Sequence, residues 1–149
     1  MSKHTERTIA LLQEAGMQCD VVERWIPGAG VRRDFLGCID IIAFNHATTL
    51  GVQSCGEDFA QHALKMLDEP RLGHWLEAPK RHAVLVGWRR LAAYRKDGTR
   101  AARDRWAPRV QYFARSGGKV IFDGLELEHL RRYSWPDVDP IDQNLQGKN

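Results

Sequence analysis

No stretch of this sequence approaches the ~20 consecutive apolar residues that a membrane-spanning helix needs. The opening MSKHTERTIA has a charged start but neither an apolar h-region nor a small-residue cleavage site. A cytoplasmic protein is therefore expected. Cysteine is scarce: Cys19, Cys38 and Cys55 are an odd number and form no CxxC pair, which argues against a disulfide framework and a zinc ribbon. All three fall in strand-like segments, where a free thiol is normally buried. The six histidines show neither HxxxH nor HExxH spacing, so zinc is unsupported. GxGxxG and GxxxxGK[ST] are missing too, which disfavours nucleotide binding. No internal repeat is visible.

Ordinary globular composition remains, with 43% hydrophobic and 28% charged residues in 149, a length that suits one domain better than two. The net charge of +3 conceals an asymmetry. Between Lys80 and Arg115 eleven Lys/Arg face two acids, Asp97 and Asp104, a local +9 that leaves −6 for the rest. Such a segment suits a nucleic-acid backbone, or equally a solvated basic face.

Thr5 to Ala15 reads as a helix capped by Thr5 and closed by Gly16. Cys19 to Ile26 reads as one strand ending at Pro27-Gly28. Phe35 to Phe44 is a strongly apolar strand interrupted by one acid, and Leu50 to Cys55 is a second strand after a short turn. Helices are expected over Glu57 to Asp68 and Arg71 to Glu77, followed by a buried strand from Ala83 to Trp88. Arg89 to Arg105 suggests a loop or ragged helix. Val110 to Phe113 and Lys119 to Phe122 suggest a hairpin through Ser116-Gly117-Gly118. The order predicts an α/β (α+β) fold, a mixed sheet flanked by helices, rather than a regular strand–helix alternation. The domain is expected over 1–133, with a loose Pro/Asp/Asn-rich tail over 134–149.

A carboxylate inside a hydrophobic strand is costly unless something compensates it. Asp40 sits between Ile39 and Ile41, and alternation sets it on the face opposite both. Gln53 occupies a comparable place between Val52 and Ser54. Two such polar side chains on adjacent strands can converge on Mg²⁺ or Mn²⁺, or can instead satisfy buried backbone groups.

Gly37-Cys-Ile-Asp40-Ile-Ile-Ala, a turn, Leu50-Gly-Val-Gln-Ser-Cys and a following helix together resemble the core of the PD-(D/E)XK nuclease superfamily. The similarity is greatest to the archaeal Holliday junction resolvases and small phage-type endonucleases, and it covers about residues 5 to 90. Glu6-Arg7 resembles the resolvases' N-terminal Glu-Arg pair. The resemblance implies a restriction-endonuclease-like αβββαβ core and metal-dependent cleavage of DNA, branched DNA included. It further implies Asp40, Gln53, the Ser54 carbonyl and Glu6 as holders of Mg²⁺ or Mn²⁺, and a homodimer.

Two positions depart from the pattern. Gln53 stands where the family has Asp or Glu, a change some of its branches share, and Cys55 stands where the family has its lysine. A thiol cannot act as a phosphate-facing cation, but Lys65 on the next helix could reach back, as the lysine does in some members; otherwise it is a surface lysine. Arg32, Arg33, Arg89 and Arg90 are candidate backbone contacts, extended by the stretch from Arg95 to Arg109. The alternative is a catalytically inactive relative that binds DNA or protein. Cys55 with His62 or His46 lacks the third group a nucleophile needs and reads better as a buried thiol. Trp25, Trp75 and Trp88 are expected in the core; Trp106 and Trp135, among charges, could stack on bases or be partly buried.

Overall fold

The computed structural model describes residues 1–123, so the expected tail and Trp135 lie outside the described residues. The chain opens with helix α1 (Lys3–Glu14) and strand β1 (Gln18–Val21). A two-stranded hairpin follows, β2 (Arg24–Ile26) with β3 (Val31–Arg33). Next come β4 (Ile41–Phe44), β5 (Thr49–Cys55), α2 (Phe59–Leu67) and α3 (Pro70–Trp75). The described chain closes with β6 (Arg81–Leu91), β7 (Arg105–Ser116) and β8 (Lys119–Phe122).

Six strands form one mixed sheet in the order β1-β4-β5-β6-β7-β8. Among the described strands only β5 and β6 run parallel, because α2 and α3 supply the long crossover a parallel pair requires. The expected mixed α/β architecture is the one found. α1 covers one face with Leu11 and Leu12 on Ile41, Leu50, Val52, Val84, Val86 and Tyr112. α2 and α3 cover the other with Phe59, Ala63, Met66 and Leu72 on Ile39, Cys55, Ala83, Leu85 and Phe113. Burying each large aliphatic side chain contributes about 1.5–3 kcal/mol, so these layers hold the sheet in place. No helix among the described residues is long and apolar enough to cross a membrane.

Several boundaries differ from expectation for identifiable reasons. Ser2, not Thr5, caps α1: its Oγ accepts the Thr5 N–H at 3.1 Å, and Thr5 is buried a turn inside. The segment 19–26 is two strands in two sheets, since Val22 and Glu23 both donate to the Asp40 carbonyl and pull the chain out of register. Strand β6 runs on to Leu91, and 92–104 is a loop with one bridge, Tyr94 to Arg100, not a helix. Trp88 is buried, but Trp25 is 58% exposed on the hairpin, contrary to its expected core position.

Candidate functional site

The apolar run from Phe35 to Phe44 is not one strand. Phe35 and Ile39 exchange backbone hydrogen bonds of 2.9 Å in each direction, closing a tight turn over Leu36-Gly37-Cys38. Leu36 and Gly37 sit at φ of 53° and 71°. The left-handed region is costly for leucine, about 1–2 kcal/mol. At Gly37 a Cβ would lie 3.0 Å from an Arg71 guanidinium nitrogen, so no larger residue enters without displacement. The turn sets Asp34 and Asp40 just outside its two ends, side by side. It also breaks the alternation expected around Asp40, so Ile39 and Ile41 enter opposite layers of the core.

Asp40 is fixed through its backbone as well. Its N–H donates to the Val52 carbonyl at 2.9 Å, and its carbonyl accepts from Val22 at 2.8 Å and Glu23 at 3.3 Å. The second of these bonds positions Glu23 at the foot of the hairpin. One carboxylate oxygen each from Glu23, Asp34 and Asp40 then lies within 4.8 Å of the others. Continuing the β4–β5 register one step beyond Ile41↔Val52 brings Gln53 opposite Asp40. Gln53 Nε2 donates to Asp40 Oδ2 at 2.6 Å, and the Ser54 N–H donates to the same oxygen at 3.0 Å.

Burial pushes the Asp40 carboxyl up to about 8, aided by the hydrogen-bonded Asp34 carboxyl and opposed by the Ser54 N–H; the charges of Asp34 and Glu23 raise it further. Gln53 is 2% exposed, and among the described residues its buried Oε1 has no hydrogen-bond partner. A buried amide oxygen left bare costs about 1–3 kcal/mol, which a cation or a donor would recover. Rotating the amide would aim that oxygen at Asp40 Oδ2, an arrangement requiring a shared proton or cation.

Two cations already approach the carboxylates. Lys65 reaches from α2 to within 3.2 Å of Asp34 Oδ2, and Arg32 approaches Glu23 Oε2 at 3.5 Å. Lys65 thus faces the site, as the relocated lysine of the sequence reading would. The other candidates fare differently. Glu6 is exposed on α1 and pairs with Lys3 at 3.8 Å, not with Asp40. From α1 it is Thr8 that reaches the end of β5, meeting the Ser54 hydroxyl at 2.8 Å and accepting from Trp88 Nε1 at 2.9 Å. The Ser54 carbonyl lies 3.5 Å from Gln53 Nε2.

Cys55 is buried behind Gln53, its thiol pushed up to about 12 by burial and by Asp58 and Asp40, so it is neither cation nor nucleophile. His62 pairs with Asp58 at 2.9 Å.

The four candidate arginines separate. Arg32 and Arg33 are on the hairpin rooted at the site. Arg89 lies four residues past Leu85, the β6 partner of Gln53, or about 13 Å along the strand. By alternation Arg89 shares the site's face and Arg90 does not. Arg90 approaches Trp106 at 5.3 Å, and Arg7 from α1 covers the same ring at 4.0 Å.

Glu23 and Asp34 were not anticipated from sequence. For Asp34 the signal was an isolated glycine, Gly37, inside an apolar strand-like run, a break that turns the chain back and sets Asp34 beside Asp40.

Compared with known proteins, the chain matches no family model, no curated protein and no solved structure. The chemistry of the site therefore has to be argued from its own donors. Three carboxylates and an amide oxygen are hard ligands, and they fit Mg²⁺ or Mn²⁺ far better than a thiophilic metal.

Proposed function

We propose that this chain is a metal-dependent DNA phosphodiesterase of the PD-(D/E)XK type, with a rearranged active site. The observation that carries the reading is the convergence of Glu23, Asp34 and Asp40 opposite Gln53, with Lys65 at their edge. The sheet supports it. Strands β1, β4 and β5 form an antiparallel meander, β5 pairs in parallel with β6 across a helical crossover, and α1 lies on the opposite face. That is the αβββαβ order the resemblance implies, with a hairpin inserted between its first two strands.

The carboxylates of Asp34, Asp40 and Glu23 would hold Mg²⁺ or Mn²⁺, with Gln53 Oε1 as a neutral fourth donor. A bound divalent ion supplies Lewis acidity toward a phosphate and toward the attacking water. Asp40 would lose its proton on holding such an ion, whose charge would favour the ionised carboxylate that burial otherwise opposes. Lys65 exposes 41% of its side chain, so its ammonium can turn from Asp34 to a phosphate and offset the charge that develops there. Hydrolysis breaks the P–O bond to one sugar oxygen and forms one to water, leaving a phosphate monoester and a hydroxyl.

Purified protein is expected to nick supercoiled plasmid or cut branched DNA with Mg²⁺ or Mn²⁺. Changing an outer partner of a metal ligand costs 10–100-fold, so losing a ligand in Asp40→Ala should cost at least about a hundredfold. If plasmid, branched and single-stranded DNA all stay intact with both metals, the reading fails.

A second reading, an inactive relative that only binds DNA, is favoured by one fact: Cys55 supplies no cation where the family has lysine, and Lys65 is engaged with Asp34. It predicts DNA binding without cutting, unaffected by Asp40→Ala. A branched substrate has two-fold symmetry, which would call for a homodimer. The three free thiols suit the reducing cytoplasm.

A further inference from the structure

The β2–β3 hairpin is joined to the site at both ends, because Glu23 immediately precedes β2 and Asp34 immediately follows β3. Among the described residues it pairs with no strand of the main sheet. A lone two-stranded ribbon is marginally stable in water and is normally held by an apolar face packed on something. Here Trp25 is 58% and Val31 49% exposed, and of residues 24–33 only Ile26 is partly covered.

Its charges are equally unusual. The ribbon carries Arg24, Arg32 and Arg33 and no acid between 24 and 33. Arg24 stands directly opposite Arg33, and like charges so placed destabilise a ribbon. Arg32 stands opposite Trp25 on the other face and leans back to Glu23. An anion between Arg24 and Arg33 would turn their repulsion into attraction. On that other face Trp25 is a flat aromatic held away from the core, the complement of an unstacked base.

We propose that this hairpin is a nucleic-acid arm, in which Arg24 and Arg33 grip a backbone phosphate while Trp25 stacks on an unpaired base next to the cleavage site. The inference rests on the DNA-directed reading above and deepens it: the preferred substrate has a single-stranded or splayed segment adjoining the cut. Charge complementarity and continuity with the carboxylate cluster favour this occupant over a protein partner, whose docking would leave Arg24 and Arg33 to be neutralised separately.

The test is binding of the full chain to a fluorescein-labelled 20-mer, single-stranded or duplex, by anisotropy in EDTA, so that neither metal nor cutting enters. Trp25→Ala is expected to weaken single-strand binding roughly tenfold and duplex binding much less, with Trp25→Phe restoring most of the loss. Arg24→Ala/Arg33→Ala is expected to weaken both and to lower the slope of log K against log salt by about one to two. Thermal melts check that these exposed changes leave the fold intact. If the wild type binds and these variants bind equally well, the arm is refuted, while metal-dependent cutting lost in Asp40→Ala would still sustain the wider reading. Equal loss of single-strand and duplex affinity in Trp25→Ala also refutes base stacking. Should the wild type bind neither DNA, arm and reading fall together.

Discussion

Asp40 concentrates the conflict between burial and ionisation at one atom. Its Oδ2 receives the Gln53 amide and the Ser54 N–H, enough to hold the side chain but not to keep it ionised beside Asp34. Its pKa in the folded chain, about 8, lies above the unfolded value of about 3.9. The native state therefore binds the extra proton between those values, and stability falls as pH rises through that window. The contribution is complete below about pH 4 and lost as pH passes about 8. Asp40→Asn, uncharged throughout, should melt several degrees above the wild type at pH 8.5 in EDTA, a gain of about 1–3 kcal/mol. The gap should close toward pH 4. Parallel melting curves across that range would contradict the assigned burial. At this scale the sequence was informative about Asp40, Gln53 and Lys65, since a polar group inside an apolar run, or a lysine on the helix after it, is locally visible. Glu23 was not, because its place is set by a hydrogen bond to Asp40, well ahead in the chain, and Asp34 required reading a turn at Gly37 inside the apolar run.

Among the elements, the strands of the sheet centre were the most legible. β5 and β6 read correctly because apolar runs of that length bounded by turns leave little choice. The hairpin and the Phe35–Ile39 turn were not read, since β-branched and aromatic content cannot say whether neighbouring residues share a sheet. The helical layer over the site depends on two glycines. A Cβ on Gly51 would come within 2.5 Å of Ile39 Cδ1, and one on Gly87 would run into the Phe59 ring. Both strands thereby let α2 and the turn approach closely. Gly87→Ala is expected to cost about 1–3 kcal/mol by overpacking, read as a lower urea midpoint with an unchanged m-value. An unchanged midpoint would mean that Phe59 moves aside freely.

Among the described residues the six-stranded sheet has a different core on each face, and both cores share the same strands. Trp88 belongs to the α1 layer and Trp75 to the α2/α3 layer. Neither layer can be lost without uncovering the strands that carry the other. Urea unfolding followed by tryptophan fluorescence and by far-ultraviolet circular dichroism should therefore give coincident single transitions. Two separated transitions would show that one helical layer detaches alone. The charge asymmetry was visible at this scale from sequence, but its geometry was not. Alternation along β6 sends Arg89 and Arg90 to opposite faces, so neighbours in the basic run are not neighbours on one surface.

The feet of the hairpin carry a final consequence. Residues 24–33 leave and re-enter the fold between two carboxylates whose oxygens lie within 4.8 Å of each other. A segment anchored that way is expected to act as a cassette: its length and its side chains other than Arg32, which pairs with Glu23, should be exchangeable while Glu23, Asp34 and Asp40 keep their places. Under the proposed function, recognition and chemistry would be separable, and a new specificity could be installed by replacing ten consecutive residues.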